Sequence, residues 1–532
     1  MQPLIGLFAT LLVVKICIAI TSSSPSYDWF DPLIDVRGVL IERHLETPDE
    51  SAMQKAAILA MIESLNDPYA VFVPDDKEEA FIKDLEGDYA GIGAEVRMVD
   101  GNLTIITPME NSPALKAGIK AGDIVESIDN VPAQDNATIQ SLIERLTGPP
   151  GTEVVIDVRR INGDKKKIVV VREHIQSQSV VGLFRKKQQW MWGLDNSAGI
   201  AYIRIRQFND NTPQELLAAL QSASNAFEIN GLILDLRENP GGSLSSAITI
   251  ANMFLKNGTI VTVSGRTQAE RSWEAQPDTM LSDAPMIVLV NNSSASASEI
   301  VSGSLQANGR AAILGTRTFG KGSVQEVMEL ASGGMLKFTT ARYDLANGRT
   351  IDKRLSADTG IWGVDPNIGL VVAETTEEAI ARIKSREPYT IITNDEPAAF
   401  PIGDTNWIKE TYGDLQLSLA LQAMREQIDK GDWPLLTQED PVLTGIQEEV
   451  ASLAKSRIEI LKSLVDIDSR LTRLQTKLDE ENASLIPSGI NLKETNLTLK
   501  DSEGNIIGSW TVTNGDIESA LDSLQLSPIK QQ

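Results

Sequence analysis

Cysteine and histidine are nearly absent from this sequence. Its 532 residues include one cysteine, Cys17, and two histidines, His44 and His174. There is therefore no Cys/His cluster that could hold zinc, and a Ser-His-Asp triad is poorly supported. Cys17 lies in the apolar N-terminal segment, so a chain cleaved after that segment would form no internal disulfide. We interpret both histidines as structural.

Positive charge is also scarce. The chain has 48 Lys and Arg residues against 73 Asp and Glu residues, which gives a formal net charge of −25. Such a surface repels nucleic acid and anionic lipid, so neither is expected as a partner. The hydrophobic content of 42% is that of a folded globular protein, and a chain of this length should divide into several domains.

The apolar N-terminal segment lacks a basic head. Residues 3–20 are PLIGLFATLLVVKICIAI, followed by the small polar stretch TSSSPS. Lys15 interrupts the run before it reaches the ~20 residues of a good membrane-spanning helix. A separate apolar segment at the extreme terminus is more typical of an export signal than of a buried helix. We expect residues 1–24 to be a signal peptide or membrane anchor, and the protein to be exported to the periplasm or cell envelope.

The pattern of apolar residues predicts five further regions. Residues 28–87 are predicted to be helical, and residues 88–174 to be mostly strands with one principal helix. Residues 180–375 alternate buried strands with helices, as an α/β layer does. Residues 376–483 are acidic and helical, and residues 484–532 suggest a hairpin and one amphipathic helix.

Apolar residues recur at 3-4 spacing between Val450 and Leu478. Eight of the nine positions 450, 453, 457, 460, 464, 467, 471, 474 and 478 are apolar, and Arg457 is the exception. This heptad pattern predicts a coiled coil or helical hairpin over about residues 446–480. Dimerisation and packing within one chain fit the pattern about equally well.

A lysine lies between two glycines in TFGKGSVQ, residues 318–325. The preceding residues make this segment one residue short of a phosphate-binding loop. However, Gly322 occupies the position that needs a magnesium-binding hydroxyl, and a predicted hairpin follows where a helix is required. The nucleotide interpretation fails on both counts. Enclosure by small residues and apolar strands favours a neutral amine, which can accept a proton from a hydroxyl.

Serines that could donate that proton lie just upstream. NNSSASASE, residues 291–299, falls at a predicted junction of a strand and a helix. Backbone N–H groups and the helix dipole at such a junction suit an oxyanion. A Ser-Lys dyad is therefore the catalytic arrangement that the residues permit.

Three segments together resemble the carboxy-terminal processing proteases, also called tail-specific proteases. They are GLILDLRENPGGSL, VNNSSASASEIVSGSLQANGRA and GTRTFGKGSVQ, in that order. Upstream, a GIGA loop, a hairpin and a helix over residues 88–174 resemble a PDZ domain, and the whole likeness covers about residues 35–372. It implies an α/β core related to the crotonase spiral, flanked by helical regions, with no metal or other cofactor. It also implies an exported serine endopeptidase, guided by its PDZ domain, that cleaves proteins near their C-termini.

The resemblance also assigns roles to individual residues. Ser296 is the expected nucleophile, Lys321 the general base and Gln325 the residue that orients the lysine. The expected oxyanion donors are backbone N–H groups, and the expected carboxylate-binding loop belongs to the PDZ domain. The residues are Gly241, Gly242 and Ala297 for the oxyanion, and Gly91, Ile92, Gly93 and Ala94 for the loop.

The sequence departs from the family pattern at two positions. Ala307 and Asn367 stand where many members have acidic residues, and neither position belongs to the dyad. Asp235 and Arg237 precede the glycine loop in LDLRENPGG, and we expect them to be structural and to hold that loop.

Each site residue also has a structural alternative. Ser296 suits a helix N-cap, Lys321 a solvated turn, and Gln325 a strand surface. Two rival functions follow. One is a silent scaffold that binds peptide tails and dimerises through residues 450–478. The other is an acyl-CoA enzyme of the crotonase type, against which the PDZ segment and the Ser-Lys spacing argue.

Overall fold

The computed structural model describes most of the chain. The described residues are 27–78, 81–82, 89–133, 138–175, 178–186, 188–276, 284–356, 359–393, 400–480, 496–500 and 506–511. The expected signal or anchor at 1–24 and the expected C-terminal helix lie outside them. Within these ranges, no helix combines the length and the apolar character needed to cross a membrane. The chain divides into two compact units, Met1–Phe72 and Val73–Gln532.

Among its described residues, the first unit contains two α-helices, α1 (Asp31–Arg43) and α2 (Glu50–Glu63). The N-cap of α2 is Asp49, whose carboxylate accepts a hydrogen bond from the Ala52 N–H at 3.1 Å. This satisfies one of the donors that a helix start leaves free. Neither helix buries a residue within the described part of the chain.

The region predicted to be a PDZ domain is a small β-domain with two helices. Its main sheet has the strand order β3-β4-β5-β7-β8, with β6 paired to β5, and β2 pairs with β9. The predicted hairpin is present: β3 and β4 are antiparallel around the turn at Asp100 and Gly101, both with positive φ. The elements are β2 (Tyr89–Gly91), β3 (Ala94–Val99), β4 (Asn102–Pro108), α3 (Pro113–Lys116), β5 (Ile124–Ile128), β6 (Val131–Pro132), α4 (Ile139–Leu146), β7 (Glu153–Arg159), β8 (Lys165–Val171) and β9 (Glu173–Ile175), preceded by β1 (Val71–Val73).

The central sheet has the order β10-β14-β15-β18-β19, with β13 paired to β14. Strands β14, β15, β18 and β19 are parallel, as the alternation of strands and helices predicts. Alternate residues enter two separate cores: Ile203 and Leu234 pack on one side, Tyr202 and Ile233 on the other. The elements are β10 (Val180–Val181), β11 (Phe184–Lys186), β12 (Gln189–Met191), β13 (Gly193–Asp195), β14 (Ile200–Ile205), α5 (Thr212–Ala226), β15 (Gly231–Asp235), α6 (Leu244–Phe254), β18 (Met286–Val290), α7 (Ala297–Ala307) and β19 (Ala312–Gly315).

A second sheet lies at the end of this layer. In it β21 pairs with β16 and with β20, and β16 pairs with β17. The β20-β21 hairpin directly follows the lysine loop, as predicted. Its strands are β16 (Thr259–Gly265), β17 (Arg271–Glu274), β20 (Ser323–Glu329) and β21 (Met335–Leu345).

The C-terminal part is mainly helical, as its composition predicts. It contains α8 (Thr376–Thr390), α9 (Thr405–Glu410), α10 (Leu415–Lys430) and α11 (Pro441–Glu480), followed by the predicted hairpin of β22 (Asn496–Lys500) and β23 (Ile506–Thr511). Helix α10 buries its apolar face in the second core, through Leu417, Leu421 and Met424.

A buried cluster of ion pairs joins the central sheet to these helices. Arg237 is fully buried and donates to Asp235 at 2.7 Å and to Asp414 at 2.9 Å, while Arg386 of α8 also contacts both carboxylates. Tyr202 donates to Asp235 at 2.7 Å. Charges in a protein interior persist when they are paired and hydrogen-bonded, so this cluster fixes the end of β15, where the glycine loop begins.

Candidate active site

Ser296 lies immediately before helix α7, at its N-cap position, and its backbone is unusual. Its φ is 55° and its ψ is −114°. A residue other than glycine rarely adopts a positive φ, and such a conformation costs of order 1–3 kcal/mol. Strain of this kind persists only when the surroundings impose it. Here two neighbours impose it, the glycine loop and Glu299.

Glu299 holds this turn from inside the protein, a role that our sequence analysis missed. Its side chain is fully buried. One oxygen, Oε2, accepts from the backbone N–H of Ser296 at 2.8 Å and of Lys321 at 2.9 Å. The other, Oε1, accepts from the Thr318 hydroxyl at 2.6 Å and the Gly320 N–H at 2.7 Å. One carboxylate thus joins the serine turn to the lysine loop.

Burial also changes the acidity of Glu299. Desolvation raises the pKa of this carboxyl from 4.5 to about 7, although the four hydrogen bonds to it act in the opposite direction. Its ionisation therefore falls in the physiological range.

Lys321 has the depressed pKa that its enclosure predicts. Burial lowers the pKa of the Lys321 amine below 10.5, and the positive charge of Lys337 lowers it further, whereas the Glu299 carboxylate opposes both. The Tyr343 hydroxyl donates to the Lys321 carbonyl and fixes the loop at this point. The amine is thus more readily neutral than an exposed lysine.

Gln325 lies on β20, four residues beyond the lysine. Its side-chain N–H donates to the Ser323 hydroxyl at 2.9 Å and to Thr339 at 3.4 Å. These bonds hold the amide against the hairpin, on the wall of the cavity that also contains Lys321.

The glycine loop packs directly on the serine turn. A Cβ atom at Gly241 would lie 2.7 Å from the Ser296 Cβ, and one at Gly242 would lie 2.0 Å from the Phe208 carbonyl oxygen. Both glycines also have positive φ, so no other residue fits there without displacement. The Gly241 N–H donates to the Asn239 side chain at 2.9 Å, and the Ser298 hydroxyl donates to the Asn239 carbonyl at 2.9 Å.

Two ion pairs secure the residue that begins this loop. Glu238 has a φ of 57° and accepts from Arg204 at 2.9 Å and from Arg382 of α8 at 2.5 Å. Asp235 and Arg237, which we expected to support the loop, lie in the buried cluster beneath it.

All the predicted site residues line one cavity of about 1270 Å³. It extends from the loop of the PDZ region to the serine turn, with residues of helix α4 on its wall. The predicted residues that line it are Gly91, Ile92, Gly93, Ala94, Gly241, Gly242, Ser296, Ala297, Lys321 and Gln325. Neither histidine is among its lining residues.

The two residues that depart from the family pattern have different surroundings. Ala307 is the last residue of α7 and is exposed. Asn367 accepts from the Ile313 N–H at 2.8 Å and from Gln306 at 3.0 Å, and so ties α7 to β19. An amide oxygen serves these two donors without a charge.

Comparisons with known proteins match both regions of the chain that line the cavity. The model of Peptidase family S41 matches residues 199–370, and the PDZ domain model matches residues 90–171. A Bartonella bacilliformis protein named carboxy-terminal-processing protease is 33% identical over 350 residues, which are 65% of this chain and 77% of that protein. The carboxy-terminal processing protease CtpA of Bacillus subtilis is 27% identical over 465 residues, covering 86% of this chain and 92% of that one.

Solved structures include similar chains. The photosystem II D1 C-terminal processing protease is 26% identical and superposes with a TM-score of 0.38, covering 69% of this chain and 92% of that one.

Proposed function

This chain belongs to the carboxy-terminal processing proteases of peptidase family S41 and is a serine protease, and we propose that Ser296 and Lys321 are its catalytic dyad. The observation that supports this assignment is the shared oxygen of Glu299, which holds the backbones of both residues. Their side chains line one cavity. Proximity and fixed orientation are the main requirements of a nucleophile and its base.

The proposed reaction has two stages. Ser296 Oγ attacks the scissile carbonyl carbon while the neutral Lys321 amine takes the hydroxyl proton. The tetrahedral intermediate then collapses, the C–N bond breaks, and Lys321 returns the proton to the leaving amine. Water attacks the resulting ester with Lys321 again as base, which releases the acid and restores the serine.

The oxyanion is proposed to bind the N–H groups of Ala297 and Gly242. Ala297 is the first residue of α7, where backbone N–H groups have no partner within the helix. Of the two loop glycines, Gly241 already donates to Asn239. Gly242 is therefore the better second donor.

We propose that the PDZ domain guides substrates into this cavity. The backbone N–H groups of residues 91–94 would hold a terminal carboxylate, and the peptide would add as a strand beside α4. Ile143, Leu146 and Thr147 at this helix line the same cavity as Ser296. A C-terminal segment bound there would lead towards the dyad, so cleavage near C-termini follows.

The test compares three proteins on one unstructured reporter with a free C-terminus. Wild type should cleave it, and Ser296→Ala and Lys321→Met should not, although both should still bind its C-terminal peptide. A wild-type protein that binds but does not cleave would support the scaffold alternative. Binding of a CoA thioester without cleavage would support the crotonase-type enzyme.

The core architecture and the C-terminal helix suggest two further assignments. We propose that the parallel sheet with α5, α6 and α7 is a crotonase-like core.

We also propose that α11 forms a coiled coil with a second copy, because its heptad residues are exposed: Leu453 is 61% and Ile467 58% exposed. Burying such a stripe is what drives coiled-coil pairing.

We propose export on the basis of residues 1–24. Sequencing the N-terminus of protein recovered from the cell envelope tests this. A mature protein that begins near Ser22–Ser24 indicates a cleaved signal, whereas retention of Met1 in membranes indicates an anchor. Recovery of full-length protein from the cytoplasm alone would contradict export.

A further inference from the structure

The cavity contains a second lysine that the catalytic proposal does not use. Lys337 lies on β21 directly opposite Val327 of β20, and Gln325 pairs with Thr339 two positions away. Opposed residues of an antiparallel pair project to the same face, and so do residues two apart. Lys337 therefore shares its face of the hairpin with Gln325, and both line the cavity.

Lys337 lacks an acidic partner within the described residues. No hydrogen bond or salt bridge there involves its amine, which is half-buried. Of the acidic residues on the cavity wall, two have other partners and the third is exposed to solvent. Glu95 pairs with Arg206 at 3.7 Å, Asp210 accepts from Ser243 at 3.2 Å, and Glu326 is exposed.

The Lys337 charge also reaches the dyad. After burial, the Lys337 charge is the largest influence on the pKa of the Lys321 amine. A half-buried positive charge on the wall of a cavity attracts an anion more strongly than one in bulk solvent. Under the proposed function, the ligand of this cavity is a peptide, and the anionic groups of a peptide are carboxylates.

We propose that Lys337 is a specificity residue that binds a carboxylate of the peptide substrate beside the scissile bond. This rests on the proposed function of the cavity and adds a substrate class to it. The carboxylate has two sources, an Asp or Glu side chain and the terminal carboxylate of a short tail. Charge-assisted pairing of a lysine with either should favour that substrate roughly tenfold in kcat/KM.

The experiment uses matched peptides. One series moves a single Glu, Gln or Lys through the positions that flank the cleavage site, and a second pair differs only in a free or amidated C-terminus. Wild type should prefer Glu to Gln about tenfold at one position, or the free to the amidated terminus. The first result identifies a side chain as the ligand. Because residues 91–94 are also proposed to hold the terminus, the second result identifies the terminus as the Lys337 ligand only where Lys337→Met removes it.

Three substitutions connect the preference to this residue. Lys337→Met should abolish it, Lys337→Arg should keep it, and Lys337→Glu should reverse it in favour of the Lys peptide. Arg342→Met is the matched control, since Arg342 lies on the same strand with a side chain 57% exposed, and it should leave the preference unchanged. A reversed preference requires a direct charge contact, which a merely structural role of Lys337 does not provide.

Binding to the Ser296→Ala protein separates this proposal from the catalytic one. The peptide preference should appear there as a difference in Kd that Lys337→Met removes. If Lys337→Met changes neither the Glu-to-Gln difference in Kd nor the difference between free and amidated termini, the role of Lys337 is overturned and the dyad is unaffected. Loss of cleavage with the binding preference intact would instead count against the dyad.

Discussion

The backbone N–H groups of Ser296 and Lys321 donate to the same oxygen, Oε2 of Glu299, at 2.8 and 2.9 Å. The two residues are 25 positions apart in the chain and belong to different elements. A single buried carboxylate therefore determines how the serine turn and the lysine loop are placed relative to each other.

Replacing this carboxylate should impair catalysis. In Glu299→Gln, an amide NH₂ replaces one of the two acceptor oxygens, so backbone N–H groups that face it lose their acceptor and the turn or the loop should shift. A misplacement of about 1 Å costs roughly a hundredfold in rate. Peptide cleavage measured as kcat/KM checks this, with the exposed Glu329→Gln on β20 as control. Unchanged kcat/KM in Glu299→Gln would contradict this role.

The same carboxyl should make stability depend on pH. Its pKa is about 7 in the folded protein and 4.5 when exposed, so the folded state binds the extra proton. The free energy of unfolding should therefore fall as the pH rises from 4.5 to 7, by up to roughly 3 kcal/mol. Urea unfolding of wild type and Glu299→Gln at pH 5 and pH 8 measures this. Equal pH dependence in the two proteins would count against it.

Activity should rise with pH as Lys321 loses its proton. Because burial and Lys337 lower the pKa of the amine, the rise in kcat/KM should be half complete below pH 10.5. Removing the neighbouring charge in Lys337→Met should move the rise to higher pH. A pH profile measured with a neutral peptide tests both statements, and a profile that does not move in Lys337→Met contradicts the second.

The buried ion cluster should be essential for stability. Asp414→Asn removes one of two carboxylates that balance Arg237 and Arg386. Loss of one partner from a buried pair costs about 3–5 kcal/mol, so the free energy of unfolding should fall by that amount. The control is Glu426→Gln, which breaks the exposed pair of Glu426 and Lys430 and should change little. Similar losses in both variants would show that burial is not the cause.

Helix α11 should determine the oligomeric state. Leu464→Glu places a charge in the exposed apolar stripe and should convert a dimer to a monomer, whereas Lys462→Gln, outside the stripe, should not. Sedimentation equilibrium measures the mass directly. A wild-type protein that is monomeric at micromolar concentration would contradict the coiled coil.

The sequence predicted those secondary-structure elements that interactions between neighbouring residues determine. The alternation of strands and helices predicted β14, β15, β18 and α7, and the residues after Lys321 predicted the β20-β21 hairpin. Motif resemblance selected the residues that line the cavity. The residues that determine each of these elements, or that make up each motif, are close together in the chain.

Other features depend on contacts between distant segments. Glu299 follows the pattern of an ordinary first-turn helix acid, and only the packing of residues 318–321 against it reveals its role. The pairing of Arg237 with Asp414 joins positions 177 residues apart. Lys337 faces the cavity because of strand register, which the sequence alone does not determine.

The most direct test of the dyad is covalent labelling by a serine-directed phosphonate, followed by peptide mass spectrometry. The label should lie on Ser296, and the rate of labelling should rise with pH and fall about a thousandfold in Lys321→Met, as loss of a general base predicts. A label on another serine, or an unchanged rate in Lys321→Met, would contradict a dyad of these two residues.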